Sequence, residues 1–326
     1  MKPTVASQNL DRQDTASLAR SDGIEVEIIS TGAAIRSIWV PTREGRRNVV
    51  LGYPSLDQYR EDPYFLGATI GPYANRIAKA SFGMDGRSYD LDANELGRGN
   101  CLHGGSEGLH RREFRLSFQE HDSTILRCVA GLEDGVNGFP GNRDYEVIYQ
   151  LPDPLTLRID FRVTTDRDTI ISLTNHTYFN LGGSIDDHEV VINADRYTPV
   201  DHNQIPIGEI ADVTATSLDL RQSQPLGART YDHNFVLNRG KQSIKQAAKL
   251  SSPSSGISVS VFASAPALQL YTGDGLGEPF CRRAGLCLEP QQFPNAPNEP
   301  SFPSPRLNKN EIYRARIEYR FESALD

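Results

Sequence analysis

The sequence predicts an all-β fold, a large antiparallel β-sandwich or barrel. Three observations carry that prediction. Short segments alternating apolar and polar residues recur along the whole length; Gly, Pro, Asn and Asp stand between them; and long stretches of helical periodicity are nearly absent. Successive side chains on a strand point to opposite faces. Many short alternating runs divided by turn residues therefore read as a sandwich or barrel.

The elements follow in chain order. The first 20 residues, MKPTVASQNLDRQDTASLAR, hold no apolar core. No secretory signal is expected there, and a flexible arm is predicted over residues 1–20. Strands are then predicted in GIEVEIISTGA, STILRCVAG, DYEVIYQLP, TLRIDFRVTT, EVVINADRYTPV, GISVSVFAS, ALQLYTG, GLCLEPQ and EIYRARIEYRF. KQSIKQAAKL is a short exception with helical spacing and reads as a turn in a loop. PQQFPNAPNEPSFPSP (290–305) carries too many prolines for sheet or helix and predicts a well-packed loop leading to the last strand. The spread is even, without a linker-like shift, so one domain is expected over residues 21–326.

Composition narrows the function. Net charge is −8, and the short basic pieces at 111–115 and 282–283 make no basic stripe, so no nucleic-acid partner is expected. No run is long and apolar enough to span a bilayer, and a cytoplasmic location is expected. The four cysteines (Cys101, Cys128, Cys281, Cys287) lack paired CxxC spacing, which argues against a structural zinc site and for free thiols. No GxSxG, Walker A, GxGxxG or HExxH motif is present.

Three predicted strands split into an apolar and a polar face. In ISLTNHTYFNL, Ile171, Leu173, Phe179 and Leu181 share one face with Asn175 and Thr177, while Ser172, Thr174, His176, Tyr178 and Asn180 share the other. In ALQLYTG, Leu268 and Leu270 oppose Gln269 and Tyr271. In GLCLEPQ, Leu286 and Leu288 oppose Cys287, Glu289 and Gln291. One buried face leaves the other free to line a cleft. There, partial burial would raise the pKa of Glu289 toward general-base range. Each candidate also has a plain reading: His176 satisfied by polar neighbours, Glu289 on a wet face, and His103 of NCLHGG in a loop without a role. Likewise Asp232 of YDHNFVL suits a turn, and Asn75 with Arg76 of GPYANRIAKASF suits a surface ion pair.

Taken in order, GPYANRIAKASF, NCLHGG, GFPG, TNHTYFNLGG, ADRYTPVDHNQIPIGEI, YDHNFVL, PALQLYTGDGL and GLCLEPQQFPNAPNEPSFPSPRL resemble the aldose 1-epimerase (galactose mutarotase) family. Each piece is a weak signal; the ordered set is specific. The resemblance implies a galactose mutarotase-like supersandwich whose concave face binds a monosaccharide, with no cofactor and no metal. It implies Glu289 as general base, His176 as general acid and His103 beside them. Asn75, Arg76, Asp232 and Gln269 would hold sugar hydroxyls, with Tyr178 in support. A monomer or homodimer is expected. The sequence departs from the family pattern at Pro72, at Val136 with Asn137, and at Asp274, which bears on the preferred sugar rather than the reaction.

Mutarotation needs a proton taken from the anomeric hydroxyl and another given to the ring oxygen. An acid and a base on opposite sides of one bond would accomplish this, with His176 as an imidazolium near its ordinary pKa of ~6.5. Rival readings are an epimerase of a modified sugar on the same scaffold, a glycoside hydrolase using Asp232 and Glu289 as its carboxylate pair, and a non-catalytic sugar binder.

Overall fold

The computed structural model describes residues 14–238 and 243–323. Two antiparallel sheets dominate it. The larger has nine strands, in the order Arg115–Gln119, Asp122–Leu132, Arg143–Asp153, Thr156–Thr165, Ile312–Ser323, Ile257–Ala263, Lys245–Ser252, Glu189–Ile192 and Gln224–Pro225. The second has six, in the order Tyr178–Phe179, Leu286–Gln291, Ala267–Tyr271, Asp232–Val236, Arg196–Tyr197 and Ala211–Asp212. A four-stranded sheet, Thr15–Ala19 through Gly45–Asn48, completes the main architecture.

Alternation explains how the sheets meet. Leu268, Leu270, Leu286, Leu288 and Phe235 project from one face of the six-stranded sheet into a core shared with Ile159, Val259, Val261, Ile317 and Tyr319 of the nine-stranded sheet. The Phe179 and Tyr319 rings meet edge-on at 5.1 Å between centroids. Burying each such leucine contributes roughly 1.5–3 kcal/mol. The outer face of the nine-stranded sheet is polar and laced with ion pairs, Arg158 and Arg320 with Glu318 among them.

Several expectations change. The arm expected over residues 1–20 is too long, because Thr15–Ala19 is a strand paired with Glu25–Ile29 and Leu18 is fully buried. Residues 1–13 lie outside the described residues. The turn expected in KQSIKQAAKL is instead largely strand, Lys245–Ser252, because it is hydrogen-bonded on both sides and buries Ala247 and Ala248. The proline-rich stretch is well packed, with Phe293, Ala296 and Phe302 buried against Ala267, but Pro290 and Gln291 still end the strand Leu286–Gln291 and Ala296–Asn298 forms a 3-10 turn. Its chain continues through Arg306–Leu307, paired with Thr169–Ile170, into the last strand. Among the described residues no helix is long and apolar enough to cross a membrane.

Candidate active site

The polar face of the six-stranded sheet carries the site. Strand pairing sets Tyr178, Cys287, Tyr271 and Asp232 in one row across it. The next row on the same face is Glu289, Gln269 and Asn234. The two rows share a face because residues i and i+2 of a strand do. The apolar partners on the other face hold this polar face in register.

His176 enters from the side. The strand predicted across ISLTNHTYFNL is two short pieces, Thr174–Asn175 and Tyr178–Phe179, with His176 between them. Its N–H donates to the Ala68 carbonyl at 2.9 Å, and its carbonyl accepts from Gly67 at 3.0 Å. Asn175 is a buried amide whose Nδ2 donates to the Gly67 carbonyl at 2.8 Å, so it anchors the backbone beside the histidine. Asn180 likewise ties the segment to the Ala284 carbonyl at 2.8 Å.

The His176 ring faces the sheet with both nitrogens. Nε2 lies 3.8 Å from Glu289 Oε2, and Nδ1 lies 3.4 Å from Cys287 Sγ. The His176 imidazole and the Glu289 carboxyl therefore stand side by side. This arrangement suits two oxygens on a single carbon. His188, by contrast, is a satisfied core histidine: it accepts from the Leu181 N–H at 3.0 Å, and its other nitrogen lies 2.9 Å from the Ser184 carbonyl.

His103 is placed by a tight loop. Its own φ is +52°, its N–H donates to the Asn75 carbonyl, and its Nδ1 accepts from the Asn75 N–H at 3.2 Å. That bond assigns the neutral tautomer with the proton on Nε2, a donor. The following glycines are required: Gly104 has φ +84°, and a Cβ there would meet the Gly71 carbonyl at 2.3 Å. Asn137, one of the departures from the family pattern, donates to the Gly104 carbonyl at 2.7 Å and braces this loop.

Arg76, Asp232 and Gln269 form one chain of contacts. Gln269 Nε2 donates to Asp232 Oδ1 at 2.6 Å, and Asp232 Oδ2 lies 3.7 Å from Arg76 Nη1. Arg76 Nε donates to Glu95 Oε1 at 2.9 Å. Asn75, at φ +64°, turns its Oδ1 to the Arg76 N–H. Tyr178 is buried against His176, ring centroids 5.0 Å apart, and supports the histidine rather than standing open.

Burial sets the electrostatics. It pushes the Glu289 carboxyl well above its ordinary range; Asp232 adds to the rise and Arg76 opposes it. Burial pushes His176 down to about 4. His103 is lowered well below its ordinary value by burial, then by His176, Arg76 and His110. The imidazolium near its ordinary pKa, expected for His176, is thus corrected. Desolvation penalises either charged form, so burial favours the protonated carboxyl of Glu289 and the neutral imidazole of His176.

Sequence reasoning missed other residues. Phe65, at φ +59°, sets its ring 4.6 Å from His103, 4.7 Å from His110 and 5.8 Å from His176. Its loop is pinned by buried Asp62, which accepts from Tyr53 Oη and from the Tyr64 and Leu66 N–H groups. Glu95 and Asn234 were also missed, although Asn234 sits two residues from Asp232 and spacing alone puts it on the same face. Asp274 is a structural node, paired with Arg282 and Arg283 and bonded by Thr230 and Thr272.

Residues 14–320 match the family profile described as aldose 1-epimerase. The chain belongs to the aldose 1-epimerase family. It is 38% identical to the galactose mutarotase of Rattus norvegicus, over 94% of this chain and 93% of that one. It is 35% identical to the aldose 1-epimerase of Escherichia coli K12, over 93% of this chain and 94% of that one. Among solved structures, the aldose epimerase homologue from C. elegans superposes with a TM-score of 0.88 at 28% identity, covering 95% of this chain and 98% of that one. The galactose 1-epimerase of Lactobacillus acidophilus gives 0.83 at 28% identity, covering 94% and 93%. The fold is thus that of galactose mutarotase-like proteins.

Proposed function

We propose that the protein is an aldose 1-epimerase that interconverts the α and β anomers of free aldohexoses such as glucose and galactose, with Glu289 and His176 as its proton-transfer pair. The observation that carries this reading is their 3.8 Å approach inside a largely dry site, in a chain of this family.

One proton serves both halves of the cycle. With the cyclic sugar bound, the proton sits on His176. Glu289 takes the proton of the anomeric hydroxyl, C1–O1 becomes a carbonyl, the bond from C1 to the ring oxygen breaks, and His176 gives its proton to that oxygen. Glu289 is now protonated and His176 neutral, the same form that burial favours in the free site. Rotation about C1–C2 presents the other carbonyl face, and the reverse transfers close the ring. Each positioned proton transfer contributes typically ~10²–10⁴-fold.

His103, donating from Nε2, assists at the ring oxygen. Arg76, Asp232, Gln269 and Asn75 hold the other hydroxyls, and Tyr178 steadies His176. A site built to pair hydroxyls rejects analogues that lack one. The same reading includes residues 14–323 as one working unit, a cytoplasmic setting in hexose metabolism, no cofactor, and a monomer or homodimer.

Polarimetry on freshly dissolved aldoses altered at C2, C4 and C6, with an aryl glycoside beside them, tests the reading. The expected result is faster anomer equilibration of free hexoses and no release from the glycoside. Glycoside cleavage, or acceleration confined to a modified sugar, would overturn it.

A further inference from the structure

The site also assembles a donor set that proton transfer does not require. One nitrogen of His176, the Sγ of Cys287 and a carboxylate oxygen of Glu289 all lie within 4.8 Å of one another. All three residues are buried, His176 at 4%, Cys287 at 0% and Glu289 at 2% exposure. The arrangement follows from the strand: Cys287 and Glu289 are two residues apart on Leu286–Gln291 and so share a face. Glu289 Oε2, the oxygen turned toward His176, has no hydrogen-bond partner.

We propose that this triad is a binding site for a borderline-soft, four-coordinate divalent cation of the zinc or cobalt class, which occupies the proton-transfer pair and inhibits the enzyme. The donor chemistry selects the cation. A thiolate, an imidazole and a carboxylate together suit zinc, whereas calcium and magnesium take oxygen ligands. Metal–ligand distances of roughly 2.0–2.3 Å place tetrahedral ligands about 3.3–3.8 Å from one another. One imidazole nitrogen serves one ion, and the three donor atoms, one from each residue, lie within 4.8 Å of one another, about 1 Å beyond that range. Bringing all three onto one ion takes about 1 Å of side-chain movement, and the unpartnered Glu289 oxygen gives up no hydrogen bond to make it. Three protein ligands leave the fourth position for water or a sugar hydroxyl.

Charge balances on binding. The Cys287 thiol proton, and the Glu289 proton where it is present, pass to solvent; thiolate and carboxylate then neutralise the double positive charge, so the buried complex carries no net charge. Arg76, the cation that acts on Glu289, is engaged by Glu95 and Asp232.

The test uses cobalt as a coloured probe. Cys281 is an exposed free thiol, so the background is Cys281→Ser. One equivalent of Co²⁺ per chain is expected to give a thiolate-to-cobalt charge-transfer band that Zn²⁺ abolishes. Cys287→Ser is expected to lose the band, and Glu289→Gln to weaken binding at least tenfold. Should Cys287→Ser not fold, His176→Asn serves: Zn²⁺ is expected to raise the melting temperature of the background protein and not of this variant. Absence of the band, its survival in Cys287→Ser, or an equal zinc shift in His176→Asn overturns the proposal. Inhibition of mutarotation, competitive with sugar and reversed by a chelator, rests on the proposed function. The cobalt spectrum does not, so a protein without mutarotase activity would keep the band and lose only the inhibition.

Discussion

His176 Nε2 and Glu289 Oε2 stand 3.8 Å apart, and neither residue is more than 4% exposed. Two titratable groups this close and this dry share their protons. With no sugar bound, the state holding a single proton between them is bounded by two coupled titrations.

The pH profile follows from that pair. The acid limb comes from protonating His176, whose value burial lowers from 6.5 to about 4. The alkaline limb comes from the Glu289 proton, whose value is raised well above 4.5. The kcat/KM of the free enzyme is therefore expected to stay flat through pH 6.5 on the acid side and to fall only near about pH 4. A stopped-flow polarimetric profile with an acid limb at an ordinary histidine value would contradict this.

Stability runs against activity at Glu289. A carboxyl with a raised folded pKa takes up a proton on folding, so its cost grows as pH climbs above its unfolded value of 4.5. Glu289→Gln carries no such cost. Its melting temperature is expected to exceed that of the parent protein at pH 7, by a margin that closes toward pH 4. Calorimetry at several pH values checks the sign.

Glu95 holds Arg76 from the side opposite Asp232. Glu95→Ala removes the charge-assisted hydrogen bond from Arg76, worth about 1.5 kcal/mol, together with those from Arg98 and Asn100, so KM is expected to rise roughly tenfold with a smaller change in kcat. Steady-state kinetics would show a matching fall in kcat if Arg76 acted on the chemical step instead.

Gly104→Ala is expected to damage the fold as well as the site. A Cβ would meet the Gly71 carbonyl at 2.3 Å, at a φ of +84°. Strained backbone of this kind costs on the order of 1–3 kcal/mol before the clash is counted. Thermal unfolding of the variant reads the loss.

Strand alternation made part of this legible. It placed Glu289 and Gln269 on one face, opposite leucines that do enter the core. Family resemblance supplied roles for His103, Arg76 and Asp232 that spacing alone left open. What stayed hidden lies where local pattern carries no signal. Phe65 and Glu95 sit in loops, and only the folded chain brings Phe65 onto the three histidines. The segment around His176 reads as one strand but is broken, because its backbone bonds to residues 67 and 68. KQSIKQAAKL misled for the opposite reason: Lys, Gln and Ala favour helix locally, and pairing on both edges overrides them.

The most direct test is the decay of optical rotation of freshly dissolved α-galactose with the parent protein, Glu289→Gln and His176→Asn, each checked for folding by circular dichroism. The parent is expected to accelerate equilibration strongly. Each variant is expected to lose about 10²-fold or more of that acceleration. Parent-like rates in both folded variants would contradict the account.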